Sequence, residues 1–252
     1  MGKGAREATA RERIAQQRNA DRRKDRHRRL ATMVTIGTIA VLAIGGGAWY
    51  AAARDTAEQQ TAAAKLAPTT VNADGSVTMA QAGVTGPVLD VYEDFQCPAC
   101  KALEESSGPT IKNLASEGKA KVVFHPITIF SMEPTKSNSV RAGAASRCIT
   151  NGAQWPAFHD KLFAEQPSET VEGFPLTDLV AWGKEVGVTS PDWEKCVTSQ
   201  KFAQTQLTQS DKIIRTEKIE GTPALKLNGK ELDSNVAFVP AKLRQAVLAA
   251  GK

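Results

Sequence analysis

Asp94-Phe95-Gln96-Cys97-Pro98-Ala99-Cys100 decides how this chain reads. On its N-terminal side, Pro87-Val88-Leu89-Asp90-Val91-Tyr92-Glu93 has the branched and aromatic content of a buried strand. On its C-terminal side, Lys101 to Glu117 carries Leu103, Ile111 and Leu114 at helical spacing. Cys97 therefore falls where a strand gives way to a helix. Pro98 suits the first helical turn, where a backbone N–H has no helical partner to lose. A sulfur placed there faces unpaired N–H groups and the positive end of the helix dipole, and both favour thiolate over thiol. Cys100 is close enough to close a disulfide. The pattern points to dithiol–disulfide exchange, although the C-x-x-C spacing alone also occurs in zinc sites.

Upstream, the chain changes character twice. Residues 1–29 hold eleven Lys/Arg and four Asp/Glu. The rest holds 21 basic and 23 acidic residues, the totals of 32 and 27 less those of the tail. The high isoelectric point thus belongs to a tail, and the remainder is mildly acidic. Leu30 to Ala53 contains no charged residue and includes Met33, Val34, Ile36, Ile39, Val41, Leu42, Ile44, Trp49 and Tyr50. At about 1.5 Å per residue this stretch spans roughly 36 Å as a helix, more than a hydrocarbon core of about 30 Å. A transmembrane helix over 30–53 is the expectation. The basic flank places residues 1–29 in the cytoplasm and the rest outside, since basic residues stay on the inner side. No nucleic-acid partner is expected for a tail so placed. The alternative is a cleaved signal peptide, for which Ala51-Ala52-Ala53 offers small residues. Residues 54–73, rich in Ala, Gln and Thr, read as a linker.

The globular part is expected over 74–252, opening with a strand at Gly75-Ser76-Val77-Thr78-Met79. After the Cys97 helix, Gly118 marks a stop and Lys119 to His125 reads as a strand ended by Pro126. Strand, helix, strand in that order is a parallel, right-handed βαβ unit. A mostly helical stretch follows over about 135–199, with Trp155, Phe158, Leu162 and Phe163 on one stripe and Leu179, Trp182 and Val186 on another. Such stripes are core. Lys201 to Ile219 reads as a polar helix that buries Phe202, Leu207 and Ile214. Asn228-Gly229 between Pro223–Leu227 and Lys230–Leu232 is a hairpin signal, because both turn residues tolerate positive φ. Pro240 then opens a last helix with Leu243, Val247 and Leu248 facing inward.

Outside the cytoplasm an even cysteine count is normally fully paired. The adjacency of Cys97 and Cys100 leaves Cys148 and Cys196 as a second, structural pair, closing a long loop worth roughly 4 kcal/mol by chain entropy. His27, His125 and His159 form no cluster with other ligand types, so no metal and no other cofactor is expected.

Phe95-Gln96-Cys97-Pro98-Ala99-Cys100 after a strand, with Gly221-Thr222-Pro223-Ala224-Leu225 far downstream, resembles the DsbA-like branch of thioredoxin-fold thiol–disulfide oxidoreductases. The resemblance covers roughly 74–250. It implies an α/β thioredoxin fold with a helical insertion at about 135–199. It also implies a catalytic Cys97, a resolving Cys100, and a cis Pro223 lying against the pair, with Thr222 before it open to an extended substrate. The implied activity is an extracytoplasmic, membrane-tethered oxidase for cysteine-containing exported polypeptides. Its implied reoxidant is a quinone-linked membrane protein of the DsbB or VKOR type. The alternatives are an isomerase or a reductant for a dedicated partner, as in cytochrome maturation, or a non-enzymatic metal- or protein-binding module. Two departures stand out. The Pro98-Ala99 pair carries no histidine where several oxidants have one. The position six before Cys97, acidic in many relatives, is Val91, leaving Asp90, Glu93 and Asp94 as candidates to relay a proton to Cys100.

Overall fold

The structure, a computed structural model, describes residues 66–251. The basic tail, the apolar stretch Leu30–Ala53 and the first part of the linker lie outside the described residues. Among the described residues, no helix is long and apolar enough to cross a membrane.

Six strands form one sheet in the order β1-β2-β4-β3-β5-β6. They are β1 (Thr69–Val71), β2 (Val77–Met79), β3 (Val88–Glu93), β4 (Lys121–Pro126), β5 (Ala224–Leu227) and β6 (Lys230–Glu231). β3 and β4 run parallel, joined through helix α1 (Pro98–Ser116), so Val91 lies beside Phe124 and Glu93 beside Pro126. On its other side β3 pairs antiparallel with β5, which sets Tyr92 opposite Ala224. Leu89 and Val91 are fully buried and join Leu103, Ile111 and Leu114 of α1 in the main core. Tyr92, pointing the other way by strand alternation, anchors a second cluster with Ile127, Ile219 and Ala224. The βαβ unit and the thioredoxin-like sheet therefore stand as expected.

Between β4 and β5 lies the helical insertion: α2 (Thr135–Ser146), a 3₁₀ turn (Gly152–Gln154), α3 (Trp155–Ala164), α4 (Leu176–Glu185) and α5 (Trp193–Thr198). Then come α6 (Ala203–Glu217), α7 (Ser234–Ala237) and α8 (Pro240–Ala250). Trp155, Phe158, Leu162 and Phe163 are buried, as a core stripe requires. Asn228 and Gly229 take φ of 51° and 78°, the paired positive values of a two-residue hairpin.

Three expectations change. Thr69–Val71, assigned to the linker, is an edge strand paired with Val77–Met79, and Ala67 before it is already in the core. Its alternation is too short to register as a strand alone; the turn at Asp74–Ser76 and the partner strand create it. In α6 the buried residues are Gln206 and Ser210, while Phe202, Leu207 and Ile214 are half-buried. This helix crosses the end of β4, where the Pro126 carbonyl accepts from Gln206 Nε2 at 3.1 Å and the Thr128 N–H donates to Ser210 Oγ at 2.8 Å. Buried strand-end backbone groups left outside the ladder demand polar partners, so polarity faces inward there. In α8, Leu243 and Val247 are buried four residues apart, but Leu248 is 37% exposed, one helical step round from the stripe.

Candidate active site

Cys97 is the N-cap of α1, with extended backbone angles (φ −79°, ψ 119°), and Pro98 occupies the first turn. The Cys97 carbonyl accepts from Cys100 N–H at 3.0 Å, so the helix starts on the reactive residue itself. Both thiols are free and lie at the carboxyl end of β3. Cys97 is 8% exposed and Cys100 is fully buried. Cys97 Sγ donates to the Thr222 carbonyl at 3.2 Å, and Cys100 Sγ accepts from the Asp94 N–H at 3.5 Å.

These environments separate the two thiols. The Cys97 thiol is pulled down to about 7, first by its hydrogen bond with Cys100; burial opposes this, and the Cys100 and Ala99 N–H groups assist. Cys100 is pushed well above the ordinary thiol range, chiefly by burial and then by its thiolate neighbour. One sulfur is poised to be a thiolate and the other to hold its proton. That division of labour is what nucleophile and resolving partner require.

Thr222 reaches Cys97 from the loop before β5, and the Thr222–Pro223 peptide is cis. The Thr222 hydroxyl is buried without a partner. Cys148 and Cys196 are joined at 2.04 Å, linking the end of α2 to α5 inside the insertion.

The three carboxylates differ in place. Asp90 lies on the Tyr92 face of β3 and binds His125 at 2.9 Å, so it does not meet the cysteine pair. Asp94, fully buried, is an anchor: its carboxylate accepts from Gln96 N–H and Ile129 N–H at 2.9 Å each and from Ser139 Oγ at 2.6 Å. Burial pushes its carboxyl up to about 6 against those hydrogen bonds. Glu93 points to the core side with no exposed surface, and its charge is among those that hold Cys100 protonated.

Glu93 Oε1 meets His159 Nε2 of α3 at 2.6 Å, and Oε2 has no partner. His159 is also fully buried, ringed by Phe95, Phe124, Trp155 and Phe163 with centroids 4.6–5.7 Å away. Burial opposes its charge, but Glu93 and then Glu104 outweigh this and push the imidazole up to about 10. Burial pushes the Glu93 carboxyl up as well. Beyond His159, its Nδ1 meets Asp160 at 3.1 Å, and Asp160 opens to solvent with 53% of its side chain exposed. Lys112 Nζ bridges Asp160 and Glu104, the latter at 3.4 Å. The separate reading of the histidines therefore fails for His159. A titratable residue inside the stripe Trp155–Phe163, facing an acid inside a buried strand, was the available signal. Glu93, Glu104 and His159 have ligand atoms within 4.8 Å of one another. Lys112 already supplies a cation there and His159 Nε2 is engaged by Glu93, so the cluster is an ion-pair network rather than a metal cradle.

A family model described as Thioredoxin matches residues 84–246. Among solved structures, the chain is similar to oxidised DsbA of Mycobacterium tuberculosis, with 26% identity and a TM-score of 0.59, covering 73% of this chain and 92% of that one. It is equally similar to a reduced disulfide bond oxidoreductase (DsbG) of the same organism: 26% identity, TM-score 0.59, 77% and 91% covered. A Rickettsia bellii protein named for protein-disulfide oxidoreductase activity is 24% identical over 161 residues, 64% of this chain. The chain spans 60% of that relative's length.

Proposed function

The chain belongs to the thioredoxin family, and its relatives are DsbA-type thiol–disulfide oxidoreductases; we propose that it is a membrane-tethered oxidase that introduces disulfides into exported polypeptides. The observation that carries the redox reading is geometric: Cys97 caps α1 beside the Thr222 carbonyl, with Cys100 fully buried behind it, and the similarity to DsbA favours the oxidase direction. In the oxidised protein a substrate thiolate attacks Cys97 Sγ. The Cys97–Cys100 bond breaks, a mixed disulfide forms, and the Cys100 thiolate takes up a proton. A second substrate thiolate then attacks the substrate sulfur of that mixed disulfide. Substrate leaves oxidised by two electrons, and the Cys97 thiolate is released. Stabilising that leaving thiolate favours the reduced protein and hence oxidation of substrate. Thr222, whose carbonyl meets Cys97 Sγ at 3.2 Å, and Pro223 after it are assigned to aligning the substrate strand.

Glu93 is assigned the proton relay to Cys100. Lys112 and protonated His159 face Glu93, Glu104 and Asp160, one carboxylate more than cations, so the cluster has room for one further proton. Glu93 is the member whose carboxyl burial raises and whose charge acts on Cys100; its Oε2 is a free, buried oxygen, as is Oε1 of Glu104.

Tethering rests on Leu30–Ala53 and its basic flank. A Cys148–Cys196 bond agrees with an oxidising compartment outside the cytoplasm. Turnover then needs an electron acceptor, and a quinone-linked membrane protein of the DsbB or VKOR type fits that need. Mature protein from cells beginning near Arg54 instead of Met1 would overturn the anchor.

A glutathione redox titration tests direction. A potential well above about −270 mV, thioredoxin's, supports the oxidase, and one near it makes the protein a reductant.

A further inference from the structure

The turn that carries Cys97 is held from outside the thioredoxin core. Gln166, two residues past α3 in the insertion, points its amide at this turn. Its Nε2 donates to the Phe95 carbonyl at 2.8 Å and to the Cys97 carbonyl at 3.0 Å. The next residue closes the link in the opposite sense: the Pro167 carbonyl accepts from Gln96 Nε2 at 3.1 Å. Gln96 has no exposed surface. Lys101, in the first turns of α1, adds a bond from Nζ to the Ala164 carbonyl at 3.3 Å. The turn residues Phe95, Gln96 and Cys97 are thus clasped by Gln166 and Pro167 through two side-chain amides.

We propose that Gln166 is a positioning residue that tunes the reactivity of Cys97. The physical reason lies in where its donors end. The Cys97 carbonyl is two bonds from the carbon bearing the sulfur, and its negative end opposes a thiolate nearby. Gln166 supplies a donor to that oxygen and a second to the Phe95 oxygen, which no other donor meets among the described residues. Withdrawing both donors leaves the Phe95 carbonyl dipole unopposed, leaves the Cys97 carbonyl with only the Cys100 and Lys101 N–H groups, and frees the turn whose geometry aims α1 at the sulfur. Thiolate is then less favoured, and the dithiol–disulfide equilibrium shifts toward the disulfide. A histidine is absent from the Pro98-Ala99 pair, so the insertion provides part of the tuning from outside the motif. The inference rests on the redox reading of Cys97 and Cys100.

The test uses the full-length chain with Gln166→Met, which keeps length and loses the donors, and Gln166→Glu, which keeps shape but faces two carbonyls with an acceptor. Each is titrated against glutathione, and Cys97 alkylation by iodoacetamide is followed against pH. The expected result is a roughly tenfold shift of the equilibrium toward disulfide for Gln166→Met, about 30 mV, with the Cys97 midpoint moved upward. Gln166→Glu shifts further at neutral pH and recovers toward wild type once its carboxyl is protonated and can donate again. Equilibria within twofold of wild type in both variants, with at most a lower Tm, overturn the proposal, because a purely structural clasp moves only stability. A wild-type chain with no dithiol–disulfide couple overturns the redox reading as well, so the two failures are distinct.

Discussion

Glu93 and His159 meet at 2.6 Å with no solvent-exposed surface on either side chain, one from the central strand and one from the helical insertion. Their pairing puts a buried charge network behind the resolving thiol, and the insertion supplies half of it. Removing one partner of such a pair strands the other without compensation.

Glu93→Gln is therefore expected to destabilise the protein by about 3–5 kcal/mol, read as a fall in Tm in chemical or thermal unfolding. The double change Glu93→Leu with His159→Leu should cost less than the sum of the single ones. If Glu93 relays the proton, Glu93→Gln also slows formation of reduced Cys100 in single turnover, and the loss grows with pH as protons become scarce. A pH-independent turnover rate would remove the relay role.

Alkylation of reduced Cys97 should follow a midpoint of about 7, below the ordinary thiol value. Cys100→Ala removes the largest contributor, the hydrogen bond from the second thiol, and moves the midpoint upward. Cys100→Ser should accumulate mixed disulfides with substrate, whereas Cys97→Ser should form none. Equal labelling of both cysteines across pH 6–9 would contradict the assignment.

Stability of the reduced protein depends on pH through the same thiol. The folded Cys97 value, about 7, is depressed below the unfolded value, which for a free thiol is about 8.5. Its contribution is fully present above the unfolded value and disappears as pH falls through the folded one. The Tm of the reduced form should rise relative to the oxidised form between about pH 6 and 8.5. Cys100, raised when folded, opposes this only at higher pH, where the unfolded thiol ionises. Parallel Tm curves for the two redox forms would count against a stabilised thiolate.

Replacing both Cys148 and Cys196 by Ala should cost about 2–4 kcal/mol while leaving the Cys97 alkylation midpoint in place. The bond staples the residues just after α2 to α5, within the insertion. A midpoint that moves with this variant would make the second pair part of the redox chemistry.

Local pattern alone carried the strand before Cys97, the helix after it, the hairpin at Asn228-Gly229 and the two tryptophan-bearing stripes. Each depends on neighbours within a few residues. Gln206 and Ser210 facing inward, β1 in place of linker, and the exposure of Leu248 depend on which distant backbone groups each element happens to cover.

The chain's own order of residues determined that a thiol would sit at a helix start with a second thiol one turn on, because helix capping is a local property. Only the folded arrangement decided which acid serves that pair. Strand alternation sends Asp90 to one face and Glu93 to the other, Asp94 is consumed as an anchor, and His159 arrives beside Glu93 from 66 positions away. Desolvation acts on whatever groups end up together, and no window along the sequence contains that information.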